Sequence, residues 1–192
     1  EVKIDQTKKE RKKQMEKIQG TQTEKNLWNA YAGESMATNK YLYFAEAARK
    51  QGYQQMAEIF EETAINERAH AKLWYEILST IGTIKENLQV GIEGEHGEWS
   101  EMYPVFQQQA EEENLPQIAA LFKMVADVEK THEQRYQALL DNINGDTVYQ
   151  KTNSTTWVCR NCGYVHEGPQ ALESCPICKK PKAYFQIKAT NY

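Results

Sequence analysis

Apolar residues recur at spacings of three and four through four long stretches of this 192-residue chain, the period of an amphipathic helix. The first, about residues 22–51, aligns Leu27, Tyr31, Glu34, Tyr41, Ala45 and Ala48 and stops at Gly52. The second, about 53–80, aligns Met56, Phe60, Thr63, Glu67, His70, Trp74 and Ile77, with Gly82 after it. Residues 82–94 read as a Gly-punctuated connection. The third stretch, about 95–113, carries Glu95, Glu98, Met102, Val105, Phe106 and Gln109; Pro104 should kink it or end its regular part. Asn114 and Pro116 restart the pattern. The fourth, about 115–143, aligns Ile118, Leu121, Val125, Glu129, His132, Tyr136 and Leu139 before Gly145. Helices of this length span about 40 Å each. The expected fold is mainly α: a four-helix bundle over 21–145, preceded by a charged extension over 1–20, which reads as a solvated helix or frayed arm. A polar linker over 146–156 and a very small module over 157–192 follow.

Each stripe carries ionisable groups where Leu or Phe would cost less: Glu34, Glu67 with His70, Glu95 with Glu98, and Glu129 with His132. A buried, unpaired carboxylate costs several kcal/mol. Five converging carboxylates therefore call for neutralisation, and metal cations supply it. Glu67 to His70 and Glu129 to His132 are both Glu-x-x-His, which puts both donors on one helix face. The set is doubled: Glu34 precedes Glu67 by 33 residues and Glu95 precedes Glu129 by 34. One Glu from each of two helices plus Glu-x-x-His from each of the other two is a di-metal carboxylate pattern. The donor chemistry suits Fe or Mn, and Zn also accepts it. Glu98 is a seventh donor, one turn after Glu95. His96 lies off that face and is assigned no ligand role; His166 reads as a surface residue in a loop.

The four cysteines all fall in the last module, as Cys159-x-x-Cys162 and Cys175-x-x-Cys178. Two such knuckles make a tetrahedral S4 site for Zn or a single Fe and replace a core that about 35 residues cannot build. Trp157, Tyr164, Tyr184 and Phe185 could pack around either metal. This clustering, with no apolar leader in residues 1–20, points to a reducing, cytoplasmic setting. The net charge of −4 argues against nucleic acid as the main partner, and no apolar run approaches the ~20 residues of a membrane span.

C-x-x-C-G-Y followed by C-P-x-C resembles the rubredoxin pattern, which implies Fe rather than Zn. Together with AGESMATNKY, NERAHAK, GEHGEWSEMYP and EKTHEQRY, it makes residues 20–192 resemble the rubrerythrin family, a ferritin-like di-iron bundle fused to a rubredoxin-like module. The resemblance implies that Glu67 and Glu129 bridge two irons. Glu34 would be a terminal ligand of one iron, and Glu95 and His132 would hold the other. Glu98 and His70 would exchange at the first iron with redox state, and Tyr41 and Tyr103 match tyrosines beside the centre.

Two irons held by carboxylates can store the two electrons that cleave hydrogen peroxide to water. The expected function is thus peroxide reduction in oxidative stress defence, with Glu98, His70, Tyr41 and Tyr103 as catalytic residues. Electrons would pass through the cysteine-bound iron from an NAD(P)H-dependent reductase or a separate rubredoxin. The resemblance implies a head-to-tail homodimer or higher homo-oligomer. An iron-oxidising or iron-storing ferritin-like protein is the alternative, and a non-catalytic zinc protein leaves the Glu and His set unexplained.

Overall fold

The computed structural model describes residue 13 and residues 15–190. Most of the charged extension expected over 1–20 lies outside the described residues; residues 15–18 are helical. The chain divides after Ile81 into two compact units. Among the described residues no helix is long and apolar enough to cross a membrane.

The first unit is a helical pair, α1 (Gln22–Lys50) and α2 (Gln54–Leu78). Thr21 caps α1, its side-chain oxygen accepting from the Glu24 amide at 3.2 Å. Gly52, at φ +86°, turns the chain, and the Tyr53 amide reaches back to the Ala48 carbonyl at 2.9 Å. Ala45, Ala48 and Ala57 are buried between the helices, with Phe60 packed against them. Small residues at this seam let the two helices approach closely.

The second unit begins with α3 (Ile84–Gly97), a π-helical turn (Glu98–Met102) and α4 (Tyr103–Glu112), which run on as one bent helix, and continues with α5 (Pro116–Asn144). The connection expected over 82–94 is therefore largely helix. It starts in a capping box in which Thr83 and Glu86 satisfy each other's backbone amides, a signal stronger than the glycines that suggested a loop. Only residues 79–83 remain between α2 and α3. Pro104 ends the irregular turn by occupying the first turn of α4, where its missing N–H costs nothing. Leu88, Ile92 and Leu140 form the seam of this pair with Tyr136 and Ile143. A Cβ on Gly91 would meet the Tyr136 ring at 3.2 Å, so glycine permits that contact.

The two helical pairs repeat each other. Ala57, Phe60, Glu67 and His70 on α2 recur 62 positions later as Ala119, Phe122, Glu129 and His132 on α5. The turns match too: Asn114 takes the place of Gly52 with φ +59°, and the Leu115 amide reaches the Ala110 carbonyl at 2.8 Å.

The rest of the second unit is a three-stranded antiparallel sheet, order β2-β1-β3, of β1 (Gln150–Cys159), β2 (Val165–Gln170) and β3 (Phe185–Ile187). Residues 150–156, read from sequence as linker, are the first part of β1; Thr155 and Thr156 pair with Gly168 and Glu167, so neighbouring strands rather than local pattern order them. His166 lies on β2 opposite Trp157, half-buried rather than in a loop. Trp157 is fully buried with Cys159, Ala171, Cys175 and Phe185, and its indole N–H donates to the Gly168 carbonyl at 3.0 Å. Tyr164 packs on this cluster, as expected.

Candidate metal centres

On the first pair, donor atoms of Glu34, Glu67 and His70 lie within 4.8 Å of one another. On the second, those of Glu95, Glu129 and His132 do the same. The two triads share one geometry. His70 Nδ1 is 2.9 Å from Glu67 and 3.9 Å from Glu34; His132 Nδ1 is 2.7 Å from Glu129 and 3.5 Å from Glu95. Each His faces a carboxylate one turn before it on its own helix and a second on the neighbouring helix. Five of the six donors are half-buried and His70 is exposed, rather than all being fully buried as the stripes suggested.

Atoms bound to one ion at bond lengths of about 2.0–2.2 Å lie at most about 4.4 Å apart, so each triad fits half of a carboxylate–imidazole centre. The crowding shows in the protonation. Glu95 is held above the ordinary carboxylate range, first by burial and then by the hydrogen bond and charge of Glu129. Cations in place of protons would relieve that repulsion.

Glu98 belongs to neither triad. It opens the π-helical turn, and that turn explains why the two spacings differ by one. Glu34 precedes Tyr41 by seven residues, whereas Glu95 precedes Tyr103 by eight. The wider turn absorbs the extra residue and returns Tyr103 to the matching position. Tyr41, Phe44 and Phe60 have centroid separations of 6.3, 5.6 and 6.1 Å; Tyr103, Phe106 and Phe122 repeat them at 6.2, 5.6 and 6.1 Å. Each trio sits on the same helical pair as its triad, its tyrosine about two helical turns beyond the glutamate. The Tyr103 phenol is held above its ordinary pKa by burial first and then by Glu98, Glu129 and Glu95, so it stays protonated.

A further contact joins α3 and the π turn to α5. Glu133 accepts from the Trp99 indole N–H and lies 3.0 Å from His96 Nδ1, while Lys130 sits 4.7 Å over the Trp99 ring. These bonds, Trp99 first, hold the Glu133 carboxyl below its usual range. Sequence reasoning missed this clamp, which engages His96. Its one signal was that Glu133 directly follows His132.

The four cysteines converge from the end of β1 with the turn after it and from the segment after β2, all free of disulfides. Cys159 and Cys178 Sγ are 3.7 Å apart, and Cys162 and Cys175 Sγ 3.5 Å. A tetrahedral S4 shell with metal–sulfur bonds of about 2.3 Å has edges of about 3.8 Å, so the four thiols fit one ion. Each knuckle closes the same way: Gly163 donates to the Cys159 carbonyl at 2.9 Å, and Lys179 to the Cys175 carbonyl at 3.0 Å. Gly163 and Lys179 both have positive φ, which curls the chain around the sulfurs. The Lys180 amide draws Cys178 down to about 6. Cys162 is pulled down by the Tyr164 amide, yet burial and the neighbouring thiols outweigh it and push it up to about 12. Four thiols this close cannot all ionise without a cation among them.

A protein-family model for rubrerythrin matches residues 25–140, and one for the rubrerythrin rubredoxin-like domain matches 157–186. The chain is 43% identical to Rubrerythrin-1 of Clostridium acetobutylicum over 93% of its length and all of the relative's. It is 41% identical to the rubrerythrin of Nitratidesulfovibrio vulgaris, again over 93% of this chain and all of that one. A solved structure of nigerythrin in a partially reduced state is 35% identical, covers 86% of both chains and superposes with a TM-score of 0.35.

Proposed function

The chain belongs to the rubrerythrin family, oxidoreductases with a carboxylate–histidine di-iron site and a rubredoxin-like iron held by four cysteines, and on that premise we propose that it reduces hydrogen peroxide to water. The observation that carries the reading is the pair of matched triads. Glu34, Glu67 and His70, with Glu95, Glu129 and His132, would hold the two irons; Cys159, Cys162, Cys175 and Cys178 would hold the third. When bound, the irons supply electrons and polarise the substrate's O–O bond.

The protein's own groups handle protons. Reducing one peroxide to two waters consumes two electrons and two protons. Tyr103, kept as a neutral phenol by the carboxylates around it, can donate a hydrogen bond to an oxygen of the substrate. Tyr41 holds the matching position on the other pair. Glu98, outside both triads, is free to take up and deliver a proton, and His70, the most exposed donor, is the one with room to move. Electrons would come from an NAD(P)H-linked reductase or a rubredoxin, and four free thiols suit a reducing, cytoplasmic compartment.

The test is metal analysis with anaerobic reduction and stoichiometric peroxide. About three irons per chain, with visible bands that bleach on reduction and return with one peroxide per di-iron pair, is the expected result. Zinc in the cysteine site of native protein, or mineral core formation on ferrous iron in place of peroxide turnover, would overturn it.

A further inference from the structure

We propose that Glu133 is a positioning residue for the metal donors of the second helical pair. Through Trp99 and His96 it holds α3 and α5 at the separation at which Glu95, Glu129 and His132 meet on one ion. The proposal rests on the assignment of those three side chains as donors.

The clamp has four members: His96 on α3, Trp99 in the π turn, and Lys130 and Glu133 on α5. Each directly follows a donor-type residue in the chain, namely Glu95, Glu98, Glu129 and His132. Successive helix residues are turned by about 100°, so the clamp occupies the flank beside the donor face, and a slip of one moves the other. The helices need a tie at this level. Leu88 and Ile92 pack with Tyr136 and Leu140 on one side of the donors, and Tyr103 and Phe106 with Phe122 on the other. Between these seams α3 and α5 face each other with Glu95 and Glu129, two carboxylates that repel. Glu133 supplies the attraction there. Its carboxylate accepts from the Trp99 indole N–H and lies 3.0 Å from His96 Nδ1, and the two rings meet edge to face at 5.2 Å.

The first helical pair is an internal control. The positions matching His96, Trp99 and Glu133 are Ser35, Thr38 and Ala71. Ser35 and Thr38 donate their hydroxyls to the Tyr31 and Glu34 carbonyls of their own helix, and the Ala71 side chain has no polar atom. The triad on this pair is looser. His70 lies 3.9 Å from the Glu34 carboxylate on the neighbouring helix, against 3.5 Å from His132 to Glu95. The His70 side chain is 56% exposed and that of His132 34%. Glu34 and Glu67 are likewise more exposed than Glu95 and Glu129. The donor types of the two triads are identical, so the clamp is what distinguishes them.

The experiment measures Co(II) binding to the full-length chain with iron kept in the cysteine site, by equilibrium dialysis and elemental analysis that counts cobalt apart from iron. In one background, Glu34→Ala with His70→Ala leaves only the clamped triad. In the other, Glu95→Ala with His132→Ala leaves only the unclamped one. Adding Glu133→Ala should weaken cobalt binding about ten-fold or more in the first background and less than about two-fold in the second. Glu133→Gln can still accept from Trp99 and donate to His96, so it should restore binding in the first background to within about three-fold. Trp99→Phe leaves Glu133 in place and removes one bond; it decides the matter should Glu133→Ala fail to fold, and it should weaken binding in the first background only. Equal losses in both backgrounds, no loss in the first, or no rescue by Glu133→Gln would overturn the proposal. Folded parents that take up no cobalt would overturn the donor assignment itself, and the proposal with it.

Discussion

Deleting Glu101 should leave the protein folded. A deletion inside a regular helix rotates all that follows by about 100° and shifts it by about 1.5 Å. Glu101 lies in the π-helical turn, which holds one residue more than the equivalent stretch of α1. Its removal shortens the spacing from Glu95 to Tyr103 from eight to the seven found between Glu34 and Tyr41, so the turn can relax to α-helix without moving the Tyr103 ring off Phe122. Were that ring displaced, the loss would combine about 1.5–3 kcal/mol of burial with about 0.5–1.5 kcal/mol of aromatic pairing, or roughly 2–4 kcal/mol. The control is deletion of Asn39, an exposed residue of α1, where no surplus exists and Tyr41 must leave Phe60. The iron-loaded proteins would be compared by circular dichroism during heating. Deleting Glu101 should cost under about 1 kcal/mol, and deleting Asn39 should lower the melting temperature by roughly 5–15 °C at 2–4 kcal/mol. Equal losses in both variants would refute the idea that the π turn stores the surplus residue.

Trp157→Phe should weaken the cysteine module by about 1–3 kcal/mol, because it removes the bond from the fully buried indole to the half-buried Gly168 carbonyl at constant fold; faster loss of the visible band of the cysteine-bound iron to a chelator would report it. Glu98→Gln should leave three irons in place and lower peroxide turnover roughly ten-fold or more, since it removes a proton carrier rather than a member of either triad; unchanged turnover would end that role. Glu133 has a lowered native pKa, so its contribution is present above the ordinary value of 4.5 and is lost as pH falls through the native value. The gap in melting temperature between wild type and Glu133→Gln should therefore close on acidification from neutral pH, and a gap that widened would exclude the clamp.

Much of the site was legible because its signals are local. Glu-x-x-His depends only on the rise and turn of a helix, so both copies declared themselves, as did the two cysteine knuckles. The glycines of 82–94 misled, since a helix can carry them once Thr83 and Glu86 cap its start and Tyr136 needs the space at Gly91. The threonine- and asparagine-rich start of β1 was illegible for the opposite reason: its order comes from pairing with β2, residues distant in sequence.

Sequence by itself determined the helices, the two donor sets and the thiol site, because periodicity, caps and i to i+3 spacing act within a few residues. Tertiary structure decided what a spacing of 34 instead of 33 means. Either an extra residue rotates a helix face or a wider turn absorbs it. Packing of Tyr103 and Phe106 on Phe122 selects the second, since only then does the aromatic trio repeat. The Glu133 clamp was likewise decided there: its carboxylate finds Trp99 and His96 only when α3 and α5 lie side by side.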